Sequence, residues 1–366
     1  MLKSWFNKER LASAMSPILI ILMSFLLVSL MMAFVGVNPV TAYVSLFSGA
    51  FGSLSGLLNT LTKAVPICLA AIGVAIASRA GIFNIGINGQ IAVGAVGTVL
   101  VGVYLEGLPA IVHIPLALLA GMFFGVLYAL LPAIAYIKKH INLLVIFLLT
   151  NTIANKFVTW IIYTKLKDPT LQSTATYKIQ ASAKLPNLIV SPAKLNIGVF
   201  IALFVVVIVY IYFYKTTSGF EMRTCGLNKT AANYAGINTN RYQFIALLAG
   251  GALAGLAGGI EVLGTYYRLY DGFSPAYGFD GIPIALLVNG NPVGIIVGSI
   301  VFGALRVGST NMQIQTGVSS ELVDVIQGTL ITFIALEYIF HFISGKIVSG
   351  SFFRKARQKR SSSVRD

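Results

Sequence analysis

Long uncharged apolar stretches alternate with short polar loops along most of the 366-residue chain. A helix needs about 20 predominantly apolar residues to cross a bilayer. Stretches of this kind predict membrane spans at 17–37, 64–77, 81–105, 108–137, 141–163, 195–214, 242–260, 281–305 and 322–343. The pattern therefore predicts an all-α, polytopic membrane protein.

The 281–305 stretch is interrupted by Gly290-Asn291-Pro292. Proline lacks a backbone donor and biases the preceding residue away from helix, so this stretch is expected to form a short helix followed by a full one. The total is then about ten transmembrane helices, including broken or re-entrant segments. An even number places both termini on the same side of the membrane.

Composition supports the membrane class. Hydrophobic residues make up 57% of the chain and charged residues only 10%, against about 25% charged in soluble domains. These values exclude soluble enzymes, nucleic-acid-binding domains and disulfide scaffolds. The chain has two cysteines and a net charge of +15, and in a membrane protein such a charge points first to cytoplasmic loops.

Basic residues select the orientation, because cytoplasmic loops carry an excess of Lys and Arg. A cytoplasmic N-terminus places 17 of the 26 basic residues inside and six outside, five of the six being lysines of the 165–194 loop. The expected organisation is a cytoplasmic N-terminus (1–15), a transmembrane domain (16–345) with a cytoplasmic loop at 218–237, and a basic cytoplasmic tail (346–366).

Two glycine patterns at a spacing of four residues predict tight packing between helices. One is Gly121-x-x-x-Gly125, and the other runs through Gly251, Gly255 and Gly259. Each removes side-chain bulk from one stripe of a helix and lets another backbone approach closely.

A polar stretch opens the 81–105 run, where Asn84, Asn88 and Gln90 are interleaved with three glycines. Glycine weakens a helix, and carboxamides are costly in lipid unless they face protein or a water-filled path. The stretch fits a broken helix that lines a pathway, and it fits equally well polar contacts that hold helices together.

The segment 265–280 combines six aromatic residues with Arg268, Asp271 and Asp280. It could dock an extracellular partner or stack flat substrate rings, and composition alone favours an interfacial aromatic belt. Asp280 opens the broken 281–305 pair. Two glycine-interrupted segments, one in each half of a transporter, point to a substrate site near the midplane.

The loop 218–237 contains a signal for a short helix. Asn228 is a good N-cap and Gly236 a good C′ residue, which predicts a helix of two turns over 229–235. Such a helix is too short to be stable alone. It is shaped to press into the groove of a partner, and an ordinary loop helix at the membrane surface is the alternative.

Several ordered motifs resemble the permease subunits of bacterial ABC importers of the ribose and branched-chain amino acid transport class, and most of all their nucleoside (guanosine-type) permeases. The resemblance extends over about residues 60–340. It is carried by the segments 81–90, 219–223, 226–228, 231–237, 250–259, 278–282 and 285–287.

The resemblance implies a cell-membrane permease that forms the translocation path for nucleosides. The implied partners are a homologous second permease, a cytoplasmic ABC ATPase that binds ATP and Mg²⁺, and an extracellular substrate-binding lipoprotein. This chain would itself be no enzyme and would hold no cofactor, metal or catalytic residue. Candidates for coupling to the ATPase are Arg223, Gly226, Asn228, Ala231, Ala232, Tyr234 and Gly236, and candidates for the path are Asn84, Asn88, Gln90 and Asp280.

This chain departs from its relatives at two places. They usually carry Glu where Asn88 stands, and Asn-Glu-Val where Asn142-Leu143-Leu144 stands. Because the acids are missing, the relatives' pathway contacts do not transfer directly to this sequence.

Two other classes of membrane protein compete with the permease. An ion-coupled secondary transporter of a small polar solute would bind its ion at intramembrane acids. The candidates for that role are Glu261, Asp280, Asp324 and Glu337, of which only Glu337 falls well inside an apolar run. An intramembrane hydrolase would need Ser319 to meet His341, which lies 22 residues later, roughly 33 Å along a straight helix.

Overall fold

A computed structural model describes residues 22–34, 36–273 and 276–317, together with five isolated positions between 324 and 332. The chain divides into two compact units, Val40–Ser320 and a unit formed by Met1–Pro39 with Glu321–Asp366. The described part of the second unit consists mainly of one apolar helix, Leu22–Phe34. Every site discussed below lies in Val40–Ser320.

The described chain is mostly helical, which confirms the all-α, polytopic class. Seven of its helices, α3–α7, α10 and α12, are long and apolar enough to cross a membrane, and α1, α2 and α11 are shorter apolar helices. In chain order the helices are α1 (Leu22–Phe34), α2 (Pro39–Phe51), α3 (Leu54–Arg79), α4 (Ile87–Tyr104), α5 (Ala110–Lys139), α6 (Leu143–Ile161), α7 (Gly198–Lys215), α8 (Thr217–Leu227), α9 (Lys229–Tyr234), α10 (Thr239–Glu261), α11 (Tyr277–Leu287) and α12 (Pro292–Thr316).

The predicted break at Gly290-Asn291-Pro292 is confirmed. α11 ends at Leu287, and Asn289 and Gly290 then turn the chain with φ values of 49° and 65°. The Asn291 side chain accepts a hydrogen bond from the Val293 amide at 3.1 Å, and α12 begins at Pro292. Asparagine at the cap and proline at the first helical position are the residues that suit such a start.

The beginning of α3 was predicted incorrectly. The helix starts at Leu54, ten residues before the expected span, and α2 precedes it where no element was expected. Polar residues between 59 and 63 hid the helix, because hydropathy treats them as a loop. Thr60 and Thr62 are in fact buried, and their hydroxyls donate to the Ala50 and Leu58 carbonyls.

The total of ten crossings stays a prediction. The expected span at 322–343 lies outside the described residues, and so do the Ser319 and His341 of the hydrolase alternative. Of the expected first span, residues 22–34 are described and are helical.

The tight packing predicted for the two glycine patterns is confirmed, and the structure shows that the stripes of α5 and α10 face each other. A Cβ atom added to Gly255 would lie 2.0 Å from the Gly121 carbonyl oxygen, and one added to Gly125 would lie 2.2 Å from the Gly251 oxygen. Such distances leave no room for any side chain. α5 and α10 therefore pack backbone against backbone, and α10 belongs with α3 and α4 to the most buried spans.

The 162–197 loop is an ordered structure that the apolar pattern could not reveal. It contains two short antiparallel strands, β1 (Asn187–Ile189) and β2 (Leu195–Asn196). Its Thr176 amide donates to the Leu269 carbonyl at 2.9 Å, so the loop also pairs with the segment that follows α10. Strands of two or three residues depend on such distant partners and give no periodic signal of their own.

Candidate functional site

The amide residues proposed for a pathway lie in the turn between α3 and α4 and at the start of α4. Asn84 and Gln90 are buried and hydrogen-bonded to each other, with 3.2 Å between Asn84 Nδ2 and Gln90 Oε1. Asn84 Oδ1 also accepts from the Gly86 amide at 3.0 Å, which holds the turn. These side chains therefore satisfy each other and the local backbone.

Asn88 and Asn151 join this turn to other helices. Asn88 Oδ1 accepts from the Gly278 amide at 3.4 Å, so the two glycine-interrupted segments of the sequence do meet in space. Asn151 of α6 accepts from the Gly89 amide at 2.8 Å and donates to the Ile85 carbonyl at 3.0 Å. The structure thus places Asn84, Asn88, Gln90 and Asn151 together in an amide cluster inside the protein.

Asp280 lies in a second, charged cluster. It is almost fully buried on α11 and forms an ion pair with Arg306 of α12. The guanidinium carbon of Arg306 lies 5.3 Å from the centre of the Tyr277 ring. Asp280 and Arg306 therefore link the two halves of the broken helix pair through one charged contact.

Lys63 and Glu261 form the other ion pair of this cluster. Lys63 Nζ lies 2.8 Å from Glu261 Oε1 and 2.9 Å from the Tyr277 hydroxyl oxygen. Tyr277 donates its hydroxyl proton to Glu261 Oε1 at 2.9 Å, and Thr265 donates to the other carboxylate oxygen at 3.2 Å. The charged cluster is thus continuous from Lys63 and Glu261 through Tyr277 to Arg306 and Asp280.

Lys63 and Arg306 are not among the residues that the sequence pointed to, and Glu261 was a candidate only for ion coupling in a secondary transporter. In the structure Glu261 is the last residue of α10, 1% exposed, and the helix continues from it as a π-turn over Val262–Tyr266. A usable signal was the presence of basic and acidic residues in or beside apolar runs, because charges inside a membrane are tolerated when they pair with one another.

A cavity of about 850 Å³ lies on one side of the charged cluster. Lys63, Tyr266, Tyr277 and Arg306 form one wall, and Glu261 and Asp280 lie behind them without lining it. The amide cluster does not reach this cavity. The other walls come from α2, the turn before α3, the start of α3 and the second half of α12, through Ser45, Ser48, Gly49, Gly52, Ser53, Ser55, Gly56, Asn59, Val307, Thr310, Asn311, Ile314 and Gln315.

The aromatic segment after α10 has no single role. Tyr277 is 1% exposed and belongs to the charged cluster. Tyr266 faces the cavity and makes edge-to-face contacts with Tyr270 and Phe273, with ring centres 6.0 and 5.9 Å apart. Tyr267 lies instead beneath the ammonium groups of two lysines of the 162–197 loop. One tyrosine of the segment is therefore available to a molecule in the cavity.

The helix predicted in the 218–237 loop is present as α9. The Asn228 side chain accepts from the Ala231 amide at 3.0 Å, and Gly236, with φ of +83°, follows the helix end. Both capping residues thus act as expected. α9 contains six residues, one fewer than predicted, because Ala235 has already left the helical conformation.

The 217–237 segment is fixed to the bundle at several points. A Cβ atom on Gly226 would lie 2.4 Å from the Arg79 carbonyl oxygen, so α8 meets the end of α3 through its backbone. The Arg223 guanidinium lies 5.1 Å from the centre of the Tyr214 ring. Gln243 of α10 accepts from Lys229 at 3.3 Å and donates to the Ala80 carbonyl at 3.4 Å.

The side chains of this segment face in two directions. Ala232 is 0% exposed and packs against the chain itself, whereas Tyr234 is 89% and Leu227 87% exposed. Ala231 also lies on the surface. Arg223, Gly226, Asn228, Ala232 and Gly236 therefore shape and hold the segment, while Ala231, Tyr234 and Leu227, the last of them not anticipated, are presented outward.

The family model described as "Branched-chain amino acid transport system / permease component" matches residues 56–335. The chain belongs to this permease family. The matched region begins near the start of α3. It includes the amide cluster, the 217–237 segment and the cavity wall formed by Lys63, Tyr266, Tyr277 and Arg306.

Similar curated permeases cover nearly the whole chain. It is 35% identical over 344 residues to the guanosine ABC transporter permease protein NupP of Bacillus subtilis, covering 93% of this chain and 98% of that one. It is 32% identical over 341 residues to the nucleoside permease NupB of Lactococcus lactis, covering 91% and 93%. It is 31% identical over 334 residues to the glucose permease TsgB13 of Haloferax volcanii, covering 89% and 88%.

Membership in this permease family agrees with the helical bundle described above. The protein is a multi-pass membrane protein, and its relatives are permease subunits of ABC transporters. The printed names of those relatives differ in solute, from guanosine and nucleosides to glucose.

Proposed function

We propose that this chain is the transmembrane permease subunit of an ATP-dependent ABC importer and forms the translocation path for nucleosides. The observation that carries the proposal is the near full-length similarity to the guanosine and nucleoside permeases, the former covered over 98% of its length. The cavity between α2, α3 and α12 gives this path a polar chamber.

The complex that this function requires has four kinds of component. The permease works with a homologous second permease, a cytoplasmic ABC ATPase that binds ATP and Mg²⁺, and an extracellular lipoprotein that captures the solute. Both termini and the 217–237 segment lie on the cytoplasmic side, where most basic residues lie. In this orientation the cavity and the 162–197 loop lie toward the outside.

The exposed residues of the 217–237 segment are the contact with the ATPase. Leu227 ends α8 and Tyr234 ends α9, and both side chains are exposed on either side of the capped turn at Asn228. Lys229 of α9 is hydrogen-bonded to Gln243 of α10, which fixes this surface to the bundle. A few anchors, most often Trp, Tyr and Arg, carry most of the energy of protein interfaces. Ala232 supports this surface from within, so the residue to vary is Tyr234 or Leu227.

Transport by the reconstituted complex tests the function. Vesicles are prepared with this permease, its second permease, the ATPase and the lipoprotein, and ATP is supplied on the side of the membrane where the ATPase lies. They are expected to accumulate guanosine and not to accumulate glucose. Uptake by this chain alone, driven by a proton or sodium gradient, would instead support an ion-coupled secondary transporter and would overturn the proposal.

Leu227→Glu tests the coupling surface, because it places a charge at the centre of the proposed apolar contact. We expect normal abundance in the membrane, with loss of both ATPase recovery on purification and guanosine uptake. Leu188→Glu is the matched control, since Leu188 is also an exposed leucine but lies in β1 of the 162–197 loop. If Leu227→Glu retains ATPase binding and transport, the segment is not the coupling element.

A further inference from the structure

The chemistry of the 850 Å³ cavity narrows the class of molecule that it can hold. Its volume lies within the range of about 300–1,000 Å³ found for small-molecule sites. Serine, threonine, asparagine and glutamine side chains dominate the walls, and among its described lining residues only Val307 and Ile314 are aliphatic. A branched-chain amino acid would find only these two aliphatic side chains to pack against here.

The charges around the cavity cancel in pairs. Lys63 and Arg306 face it, and each forms an ion pair with a buried acid, Glu261 or Asp280. Phosphate groups are bound by cations whose charge is available to them. A phosphate placed against this wall would also meet the two carboxylates just behind the cations. The wall therefore favours an uncharged molecule over an anion.

Aromatic and hydrogen-bonding groups complete the lining. Tyr266 is half-buried. Its ring is nearly perpendicular to the rings of Tyr270 and Phe273, and the Lys63 ammonium lies 5.0 Å from its centre, so the ring is oriented before any ligand arrives. A flat ring that stacks on a tyrosine gains binding energy whatever its exact identity. Elsewhere in the lining, Asn59 and Ser48 are exposed and can exchange hydrogen bonds with hydroxyl groups.

We propose that this cavity is the solute-binding site of the permease and that it selects a neutral, ring-containing polyhydroxyl compound, a nucleoside, over nucleotides and apolar amino acids. This inference rests on the proposed function and adds to it a location and a basis for selectivity. The site is distinct from the amide cluster, whose side chains are satisfied within the protein.

Solute protection of an engineered cysteine tests the site directly. The two native cysteines, Cys68 and Cys225, are buried and give little background. In the assembled complex, Asn59→Cys is treated with a positively charged methanethiosulfonate reagent, with and without guanosine. Only unoccupied sites react, so guanosine at about ten times its Kd should slow modification about tenfold. GMP and leucine at the same concentration should have no effect.

Further variants make the result specific. Ser173→Cys, exposed on the 162–197 loop, should react at the same rate whether or not guanosine is present. Tyr266→Ala in the Asn59→Cys background should raise the guanosine concentration needed for protection at least about fivefold, the loss typical of one base–aromatic contact. Tyr266→Phe keeps the ring and should keep the protection. Thr310→Cys replaces Asn59→Cys if the latter does not assemble.

The possible failures are distinguishable. If the native complex transports guanosine but guanosine protects neither Asn59→Cys nor Thr310→Cys, the site is wrong while the proposed function stands. If GMP or leucine protects as well as guanosine, the selectivity argument is wrong. If the native complex does not transport guanosine, the proposed function itself fails.

Discussion

The amide cluster and the charged cluster show two ways to place polar groups inside a membrane bundle. Asn84, Gln90 and Asn151 carry no charge and satisfy one another and the backbone within the protein. Lys63 and Arg306 carry charge, pair with buried acids and still face a cavity. Neutral amides can hold helices together without water, whereas charges that line an opening mark a polar path.

The largest expected effect comes from removing Lys63, because this leaves its buried partner Glu261 unpaired. The side chain of Glu261 is 1% exposed and that of Lys63 is 25% exposed, so water can solvate Lys63 after its partner is removed but can hardly reach Glu261. Lys63→Met leaves a buried carboxylate without its cation, which costs about 3–5 kcal/mol. Glu261→Gln leaves an ammonium group that water in the cavity can solvate, so the loss should be clearly smaller.

Thermal unfolding of the purified complex in detergent measures this asymmetry. The double variant Lys63→Met/Glu261→Gln is the control, since it removes both charges and should be more stable than Lys63→Met alone. Should Glu261→Gln prove the more damaging single change, the cavity does not hydrate Lys63 and the contrast between the clusters fails.

A smaller loss is expected in the amide cluster. Asn151→Ala leaves the buried Gly89 amide without its partner, which costs about 1–3 kcal/mol, whereas the half-buried Ile85 carbonyl can be hydrated and adds little. Thr152→Ala on the same helix is the control, because Thr152 is exposed and bonds only to its own helix at Leu148. The midpoint of thermal unfolding should fall for Asn151→Ala alone.

The guanosine protection assay then separates stability from binding. Asn151 lies outside the cavity, so guanosine should protect Asn59→Cys equally well in the Asn151→Ala background at a temperature where that variant is folded. A selective loss of protection would show that the amide cluster belongs to the solute path after all.

Local signals were sufficient to predict much of this molecule. The apolar runs gave most of the long helices, Pro292 gave the break before α12, and Asn228 with Gly236 gave α9. The glycine spacing predicted close helix packing in α5 and in α10, and the structure shows that they pack against each other. In each case the residues that cause the feature are close together in the sequence.

The cavity could not be predicted in this way, because its wall depends on contacts between distant residues. Lys63 meets Glu261 from 198 positions away. In a hydropathy profile Lys63 only marks the end of an apolar run, and for this reason the span that corresponds to α3 was predicted to begin at residue 64. Around Ala232, local signals predict the helix but not its rotation about its axis, so they cannot show that Ala232 is buried while Tyr234 is exposed.

The smallest expected effect distinguishes the two tyrosines of the cavity wall. Tyr277 is buried and its hydroxyl donates to Glu261 at 2.9 Å, whereas the half-buried Tyr266 only accepts from Lys63 at 3.3 Å. A hydrogen bond to a charged group contributes about 1.5 kcal/mol or somewhat more, so Tyr277→Phe should lower stability by about that amount. Tyr266→Phe should cost about 0.5 kcal/mol, since water in the cavity can replace its contact. Denaturation of both variants under identical conditions measures the difference. Equal losses would mean that Tyr266 is as enclosed as Tyr277, and the wall would then have no ring free to stack on a solute.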